Sequence, residues 1–255
     1  MEHPVIPMSI SQYELSEHPL GWKTEYWDGK AHLTPREMGV KICLDLASLS
    51  PPPSQNPHPH TLIPLDESYT EQMIDGYFAA FINSVEFCDW PVKAIQDSAQ
   101  RDIAGYFTGK TGAPSPASVI ALEPNTQKLA GLAMFRIKGE REAHLSLLYV
   151  RWPFRRQGLA TAMLHHGIHH LRQANYQQLN SRYHICNDHS RQFYHKLGFK
   201  DIFDPHYLRI KIGYLRHEIS RREKLKMLAG LDQLRTEQEQ LKTQLEQLNN
   251  EGIFF

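Results

Sequence analysis

The sequence predicts a mixed α/β fold, and three observations support that prediction. In the middle of the chain, segments with strand and helix periodicity alternate as strand, two helices, three strands, then helix, strand, helix, strand. Near the N-terminus, Asp28-Gly29 lies between two short segments rich in β-forming residues. Toward the C-terminus, a polar segment carries leucines at heptad-like spacing. We therefore expect a central domain with a β-hairpin arm before it and a helix after it.

Residues 1–60 are predicted to form a small N-terminal arm followed by a linker. Residues 25–27 and 30–32 flank the Asp-Gly turn and should pair as a two-residue hairpin. Residues 40–46 alternate between apolar and polar side chains, which predicts a third strand. An arm of this size buries too little surface to be stable by itself. Residues 49–60 are dense in proline, which favours an extended linker.

The elements from residue 61 onward follow the order given above. We predict strands at 62–65, 118–122, 129–138, 143–150, 178–183 and 207–212. We predict helices at 69–83, 90–107 and 159–171, and another from residue 187. Asp66 or Ser68 can cap the first of these helices, and Pro91 suits the first turn of the second.

Residues 217–250 are predicted to form a helix with an apolar stripe that is interrupted at Gln238. The leucines of the stripe are Leu231, Leu234, Leu241, Leu245 and Leu248. Two interpretations fit this pattern equally: a short coiled coil that joins two chains into a homodimer, or a helix that lies on its own domain. We expect Gly230 to mark a bend, because glycine costs a helix about 1 kcal/mol relative to alanine.

The charge and cysteine content exclude several classes of partner. The chain has 28 basic residues (lysine and arginine) and 28 acidic residues (aspartate and glutamate), so its formal net charge is zero. This net charge does not indicate nucleic acid or an anionic membrane as a partner. No apolar run is long enough to span a bilayer, and the first residues lack the pattern of a signal peptide. The three cysteines are far apart in sequence, as expected for reduced thiols in a cytoplasmic protein.

The segment 150–161 is predicted to bind an anion. The β-rich residues 145–150 lead into a basic turn, and a helical pattern begins at Leu159. The first N–H groups of a helix lack intrahelical partners and carry about half a positive charge together. Gly158 and Ala160 are small, so an anion can approach this backbone closely. We call residues 155–160 the cradle and expect it to hold a phosphate or diphosphate.

Two motifs in this chain resemble those of the GCN5-related N-acetyltransferases, the GNAT superfamily. Arg155-x-x-Gly158-x-Ala160 is similar to the Arg/Gln-x-x-Gly-x-Gly/Ala motif of that family, and Val150 stands where its fourth strand ends. The second motif follows about thirty residues later as Asn187-x-x-Ser190-x-x-x-Tyr194-x-Lys196-x-Gly198-Phe199. The resemblance implies the acyl-CoA N-acyltransferase fold for residues 61–215, with a mixed, mostly antiparallel sheet flanked by helices. Residues 216–255 would then be an appended amphipathic or coiled-coil-like helix.

The resemblance also implies acetyl-CoA as the co-substrate and an amine as the acetyl acceptor. The cradle would hold the diphosphate, and the edge of the strand before it would pair with the pantetheine arm, because the family splays two strands apart there. The implied cofactor-binding residues are Leu148, Tyr149, Val150, Arg155, Arg156, Gln157, Gly158, Leu159, Ala160, Thr161 and Asn187. The Leu148 N–H would stabilise the oxyanion.

Tyr194 occupies the family's tyrosine position and would donate a proton to the leaving thiolate. The general base is less clear from the sequence. Many relatives carry a carboxylate where this chain has Ser146, and His144 lies two residues earlier on the same strand face. His144 is therefore our expected base. Glu142, Glu86 and Asp89 are the alternatives, as is a chain of water molecules.

The sequence leaves two classes of function open. The first is an acetyl-CoA-dependent N-acetyltransferase acting on a small-molecule or peptide amine by direct attack in a ternary complex. The second is a catalytically impaired acyl-CoA-binding or sensing module that acts through its helical tail, which the missing strand carboxylate favours. The histidine pairs at 165/169 and 166/170 have a spacing that zinc can use, but no third ligand is evident, so we expect no metal.

Overall fold

The computed structural model describes residues 4–36, 38–49, 59–88, 90–110 and 112–250. Most of the predicted proline-rich linker, and Asp89, lie outside the described residues. The chain divides into two compact units. The larger unit comprises Ile42–Ser181 and Tyr194–Lys200, and the smaller comprises Glu2–Lys41, Arg182–Phe193 and Asp201–Phe255.

The elements of the described residues are as follows. The strands are β1 (Val5–Pro7), β2 (Trp22–Trp27), β3 (Lys30–Pro35), β4 (Gly39–Asp45), β5 (Thr61–Pro64), β6 (Ala113–Pro114), β7 (Val119–Leu122), β8 (Leu129–Ile137), β9 (Glu142–Val150), β10 (Gln178–His184) and β11 (Lys200–Ile202). The helices are α1 (Ile10–Leu15), α2 (Thr70–Phe81), α3 (Val92–Phe107), α4 (Leu159–Gln173), α5 (Asp188–Lys196), α6 (Pro205–Lys224) and α7 (Leu231–Asn250). None of these helices combines the length and apolar character needed to cross a bilayer.

The larger unit is built on a mixed sheet with the strand order β4-β10-β9-β8-β7-β5. The pairs β5–β7, β7–β8 and β8–β9 are antiparallel, and β9–β10 is parallel. The short strand β6 pairs with β8 outside this path. The predicted mixed, mostly antiparallel sheet is therefore confirmed.

Helices cover both faces of this sheet. On one face, α2 and α3 pack on β7, β8 and β9 in a single apolar cluster that includes Met73, Ile103, Met134 and Leu147. Asp66 caps the turn that leads into α2, since its carboxylate accepts a hydrogen bond from the Ser68 N–H. On a strand, neighbouring side chains point to opposite faces. Residue 135 therefore points away from this cluster and toward α4.

Helix α4 lies very close to the sheet because two glycines leave room for larger side chains. A Cβ at Gly167 of α4 would lie 2.2 Å from the ring of Phe135, so only glycine fits there. In the same way, a Cβ at Gly131 of β8 would lie 2.8 Å from the terminal methyl of Met163. This close packing fixes the N-terminus of α4, where the cradle is located.

The smaller unit contains a three-stranded sheet with the order β1-β3-β2. The predicted hairpin is present, with Trp27 paired to Lys30. Asp28 and Gly29 both have positive φ, at 51° and 68°, as a type I′ turn requires. The predicted third strand is β4, which does not belong to this small sheet.

The strand predicted at 207–212 is wrong, because these residues belong to helix α6. Tyr207, Arg209 and Lys211 alternate with apolar neighbours, which imitates a strand. The N-terminal cap explains why these residues form a helix and not a strand. The Asp204 carboxylate accepts a hydrogen bond from the Tyr207 N–H at 2.9 Å, and Pro205 occupies the first turn. The expected boundary between residues 215 and 216 consequently falls inside a helix.

Helix α7 lies along α6 of its own chain, which agrees with one of the two interpretations of the leucine stripe. The Gln238 side chain donates to the Ile212 carbonyl, and Lys211 pairs with Glu237. Gly230 lies in the turn between the helices with a φ of 76°, so the expected bend is present. Except for Leu231, the leucines of the stripe are only half-buried.

Candidate active site

Strand β9 has a free edge along its C-terminal half. Parallel pairing with β10 begins at Glu142–Gln178 and ends at His144–Asn180, whereas β9 continues to Val150. Immediately after the last pair, the Ser181 hydroxyl donates to the Leu145 carbonyl at 3.0 Å. We call this point the fork. Beyond it, the described register contains no partner for β9 on the β10 side. Apart from the Val150 carbonyl, which accepts from Arg155, the backbone groups that face this side are available to a ligand.

The cradle follows β9 after a short 3-10 turn at Trp152–Phe154. Arg156 and Gly158 both have left-handed backbone conformations, with φ values of 63° and 82°. This alternation brings successive N–H groups toward one concavity, as in anion-binding nests. The first helical bond of α4 is donated by Ala162 to the Gly158 carbonyl, and no side chain caps the terminus. The N–H groups of residues 158–161 therefore lack intrahelical acceptors.

Gly158 is needed in the cradle for its conformation. A Cβ placed there would meet no atom within 4 Å, so the space in front of the backbone is open. The left-handed φ is costly for residues with a side chain. The open space and the free N–H groups together fit a diphosphate.

Arg155 fixes the cradle to the rest of the larger unit. Its Nε donates to the Val150 carbonyl at 3.0 Å, and its Nη2 donates to the Ala80 carbonyl at 3.1 Å. Its guanidinium also lies 5.5 Å from the centre of the Trp152 ring. Gln157 donates to the Pro153 carbonyl. Of the two arginines expected to face the diphosphate, Arg155 thus bonds protein carbonyls, and Arg156 is exposed.

The side chains of Tyr149 and Leu159 are packed in the core. The Tyr149 hydroxyl donates to the Met73 carbonyl at 2.8 Å, and its ring occupies the space that a side chain at Gly76 would need. Burial raises the pKa of this phenol well above its usual value. Leu159 is buried beneath the first turn of α4. Neither side chain is therefore available to a ligand, whereas Leu148, Val150, Ala160 and Thr161 are half-buried.

Tyr194 is buried in the larger unit, and Ser181 at the fork is one of the groups that act on the pKa of its phenol. Its ring packs against Phe199 at 5.2 Å. Burial raises the pKa of Tyr194 to about 12, the Ser181 hydrogen bond lowers it, and the negative charge of Glu86 raises it. The phenol is therefore protonated at neutral pH, as a proton donor must be.

Ser181 was not predicted as a site residue, although its hydroxyl bonds β9 at the fork and it acts on the pKa of Tyr194. A small polar residue inside a buried strand was its only sequence signal. Glu86 was one of several carboxylate alternatives, and its side chain lies in the 3-10 turn Val85–Phe87 between α2 and α3. Its negative charge is one of the influences that raise the pKa of Tyr194.

His144 and Ser146 lie on the face of β9 that faces α3, as expected. His144 is opposite Arg136, and the Arg136 side chain reaches Ser146 on this face. Glu142 is exposed, and its carboxylate accepts from the Asn180 side chain at 2.8 Å. Asn187 belongs to the smaller unit, where its Oδ1 accepts from the Ser190 N–H at the start of α5.

Residues 71–199 match the family model described as the Acetyltransferase (GNAT) family. This match covers just over half of the 255-residue chain. The chain belongs to the GNAT acetyltransferase family. Members of this family are acetyltransferases that use acetyl-CoA as the acetyl donor. No curated protein sequence matches the chain.

Solved GNAT structures resemble the fold at low sequence identity. A tandem GNAT protein from the clavulanic acid biosynthesis pathway is 14% identical, with a TM-score of 0.47 over 64% of this chain and 50% of its own. A GNAT protein from Sphaerobacter thermophilus is 13% identical, with a TM-score of 0.49 over 64% of this chain and 48% of its own. This chain thus spans about half the length of these two proteins. The PaiA N-acetyltransferase of Thermoplasma acidophilum, solved with coenzyme A, is 15% identical, with a TM-score of 0.47 over 55% of this chain and 89% of its own.

Proposed function

We propose that this chain is an acetyl-CoA-dependent N-acetyltransferase that moves an acetyl group to an amine by direct attack in a ternary complex. The observation that carries the proposal is the fork. There the free edge of β9 begins and Ser181 bonds the Leu145 carbonyl, and the same serine acts on the pKa of the buried, protonated Tyr194. A free strand edge, an uncapped helix N-terminus and a proton donor in one unit are the parts that acyl transfer from coenzyme A requires.

The cradle and the strand edge divide the binding of acetyl-CoA between them. The N–H groups of residues 158–161 would hold the diphosphate, and the edge of Leu148–Val150 would pair with the pantetheine arm. Arg155 would keep the two parts in register, since it bonds the last carbonyl of β9. When bound, acetyl-CoA supplies an activated thioester carbonyl. The Leu148 N–H would stabilise negative charge on that carbonyl oxygen.

Tyr194 would hold the proton that the leaving thiolate takes. The Ser181 hydroxyl has one hydrogen, which it donates to the Leu145 carbonyl in this structure. As the phenol gives up its proton, that hydroxyl can rotate and donate to the phenolate oxygen instead. Tyr194 and Ser181 would therefore act together, with Tyr194 as the acid and Ser181 as its support.

The amine must lose a proton before it can attack. We propose His144 as the base, as the sequence suggested, with Glu86 as the competing group. Glu86 is supported by its negative charge, which is one of the influences that raise the pKa of Tyr194 and keep the phenol protonated.

The acceptor would be a small-molecule or peptide amine. Beside Glu86, Phe87 and Trp90 form an edge-to-face pair at 5.0 Å, and Trp90 is partly exposed. A carboxylate next to an exposed aromatic side chain suits a cationic amine.

We propose the cytoplasm as the location of the protein.

A homodimer through α7 is a further part of this proposal, because most leucines of that helix are only half-buried. Removing residues 231–250 should then lower the mass of the particle in light scattering from that of two chains to that of one. An unchanged mass would contradict the pairing.

Release of free thiol from acetyl-CoA tests the function. The purified chain should release thiol only when an amine is present, at a rate proportional to enzyme concentration, and mass spectrometry should find the acetylated amine. An amine panel should span alkylamines, aromatic amines, amino sugars and peptide N-termini. Failure of every amine, at protein concentrations where coenzyme A binds, would contradict the proposal.

The alternative function is an acyl-CoA-binding module that does not catalyse. The observation that favours it is Ser146, which occupies the position of the family carboxylate and whose hydroxyl donates to the Met134 carbonyl. Tight binding of acetyl-CoA with no thiol release from any amine would support this alternative.

A further inference from the structure

A buried arginine, Arg136, connects helix α3 to the strand that carries the proposed acyl site. It lies in β8 and is 4% exposed. Its Nη1 donates to the Gly105 carbonyl and its Nη2 to the Asp102 carbonyl, both at 3.2 Å. Both carbonyls belong to the C-terminal part of α3, where the helix dipole favours a positive charge. The guanidinium carbon also lies 5.1 Å from the centre of the Tyr106 ring.

The remaining donor of the guanidinium, Nε, reaches β9. Its Nε donates to the Ser146 hydroxyl at 3.3 Å, and that hydroxyl donates to the Met134 carbonyl at 3.0 Å. Arg136 therefore bonds two carbonyls of α3 and one side chain of β9 at the same time. We call this set of bonds the clamp.

Ser146 is the extra residue of a β-bulge. Met134 pairs with Leu147, and the next residue of β8, Phe135, pairs with Leu145, so Ser146 has no partner of its own in β8. A bulge bends its strand and increases the local twist. This bulge lies between the fork at Leu145 and the edge residue Leu148. The clamp thus holds the one irregular residue between the fork and the proposed oxyanion-binding amide.

We propose that Arg136 is a positioning residue for acyl transfer, and that it acts by fixing the bulge at Ser146 so that the β9 edge keeps its orientation. This inference rests on the proposed acetyltransferase function. Without the clamp, the Ser146 hydroxyl would lose a charged donor, and the bulge would be held only by its bond to the Met134 carbonyl. Burial of a guanidinium is unfavourable unless its donors are bonded, so the clamp also requires this side chain to keep one arrangement.

A purely structural link between α3 and the sheet would involve the same arginine. The test must therefore distinguish this structural role from the positioning of the β9 edge. Ser146→Ala removes the bond from Arg136 to β9 together with the Ser146 bond to the Met134 carbonyl, and it leaves both α3 carbonyl bonds of Arg136 in place. Ser146→Thr retains a hydroxyl and serves as the rescue variant. Ser98→Ala is the matched control, because Ser98 is another buried serine in a polar network, on α3 and away from the bulge. Arg136→Lys keeps the charge but cannot make all three bonds with one ammonium.

We expect Ser146→Ala and Arg136→Lys to lower kcat about tenfold, while affinity for coenzyme A stays within about threefold because the cradle dominates it. Ser146→Thr should recover most of kcat, and Ser98→Ala should keep it. Amide hydrogen exchange gives a second readout: residues 145–150 should exchange faster in Ser146→Ala, and residues 102–108 of α3 should not change.

Wild-type kcat and unchanged exchange of residues 145–150 in Ser146→Ala would overturn the inference, as would an equal loss of kcat in Ser98→Ala. If the wild type transfers acetyl to no amine, the proposed function fails. Hydrogen exchange then decides by itself whether the clamp fixes the bulge. If Arg136→Lys does not fold, the comparison of Ser146→Ala with Ser146→Thr still tests the inference.

Discussion

The Ser181 hydroxyl donates to the Leu145 carbonyl at 3.0 Å, at the point where β10 leaves β9. The same serine acts on the pKa of Tyr194, the proposed proton donor. In the proposed mechanism, Ser181 therefore relates the acid to the strand that would carry the thioester, and proton transfer needs such a defined relation.

Tyr194→Phe should lower kcat about a hundredfold, because general acid catalysis typically contributes that much or more. Affinity for coenzyme A should change less than about twofold, since binding is assigned to the cradle and the strand edge. Steady-state kinetics and calorimetry measure the two effects. Tyr106→Phe is the control, because this buried tyrosine also loses hydrogen bonds but lies on α3. An equal loss of kcat in both variants would contradict the role of Tyr194.

If Tyr194 is the proton donor, as we propose, its pKa sets the alkaline limit of activity. A proton donor works while it is protonated, so activity is lost only as the pH rises through its pKa, which burial raises to about 12. We expect kcat to stay level from about pH 8 to about pH 10. Glu86→Gln removes a negative charge that raises this pKa, so the alkaline decline should move to lower pH. A decline that stays at the same pH in Glu86→Gln would contradict this influence of Glu86 on the pKa of Tyr194.

The choice between His144 and Glu86 as base can be made with two acceptors of different basicity. An alkylamine is charged at neutral pH and must be deprotonated, whereas methoxyamine is already neutral. Loss of the true base should therefore slow transfer to the alkylamine about tenfold or more and leave methoxyamine nearly unaffected. We expect this selective loss for His144→Gln if the sequence prediction holds, and for Glu86→Gln if the carboxylate is the base. Equal losses with both amines would indicate a structural role for the substituted residue.

Gly158→Ala should weaken coenzyme A binding about tenfold, because a side chain in a left-handed residue strains the cradle backbone. The cost in folding free energy should be about 1 kcal/mol. Gly29→Ala is a matched control: Gly29 also has a positive φ and open space around it, but it lies in the hairpin turn. Calorimetry and thermal unfolding compare the two variants. Normal coenzyme A affinity in Gly158→Ala would argue against the cradle.

Glu218 should make stability depend on acid pH. It is 3% exposed and accepts hydrogen bonds from Arg221 and Arg222, which lower its pKa to about 2. A depressed carboxyl pKa contributes stability above its unfolded value near 4.5, and this contribution of about 3 kcal/mol is lost as the pH falls toward 2.

Glu218→Gln should therefore be destabilised near neutral pH and should lose less stability than the wild type between about pH 5 and about pH 2.5. Urea unfolding at several pH values measures this. Glu239→Gln, in an exposed pair with Lys242, should have little effect at any pH. Parallel pH curves for the wild type and Glu218→Gln would contradict the assignment.

The parts of the site that depend on local sequence could be predicted. The glycine of the cradle, the strand before it and the helix after it follow from neighbouring residues, and the structure has β9 end at Val150 and α4 begin at Leu159. The hairpin turn at Asp28-Gly29 was predictable for the same reason, because its conformation is set by two residues.

The parts that depend on tertiary contacts could not be predicted. Nothing near Ser181 in sequence indicates that it meets Tyr194, and nothing near Arg136 indicates that it reaches both α3 and the bulge at Ser146. The error at residues 207–212 has a different origin. The capping signal of Asp204 and Pro205 is present in the sequence, and in the structure it outweighs the alternation of side chains that follows it.

The most direct test of the central claim is amide hydrogen exchange with and without coenzyme A. If the free edge of β9 and the cradle bind this ligand, coenzyme A should slow exchange in residues 146–150 and 156–162 and leave the hairpin of β2 and β3 unchanged. No protection in either segment at saturating coenzyme A, or protection confined to other segments, would contradict the account.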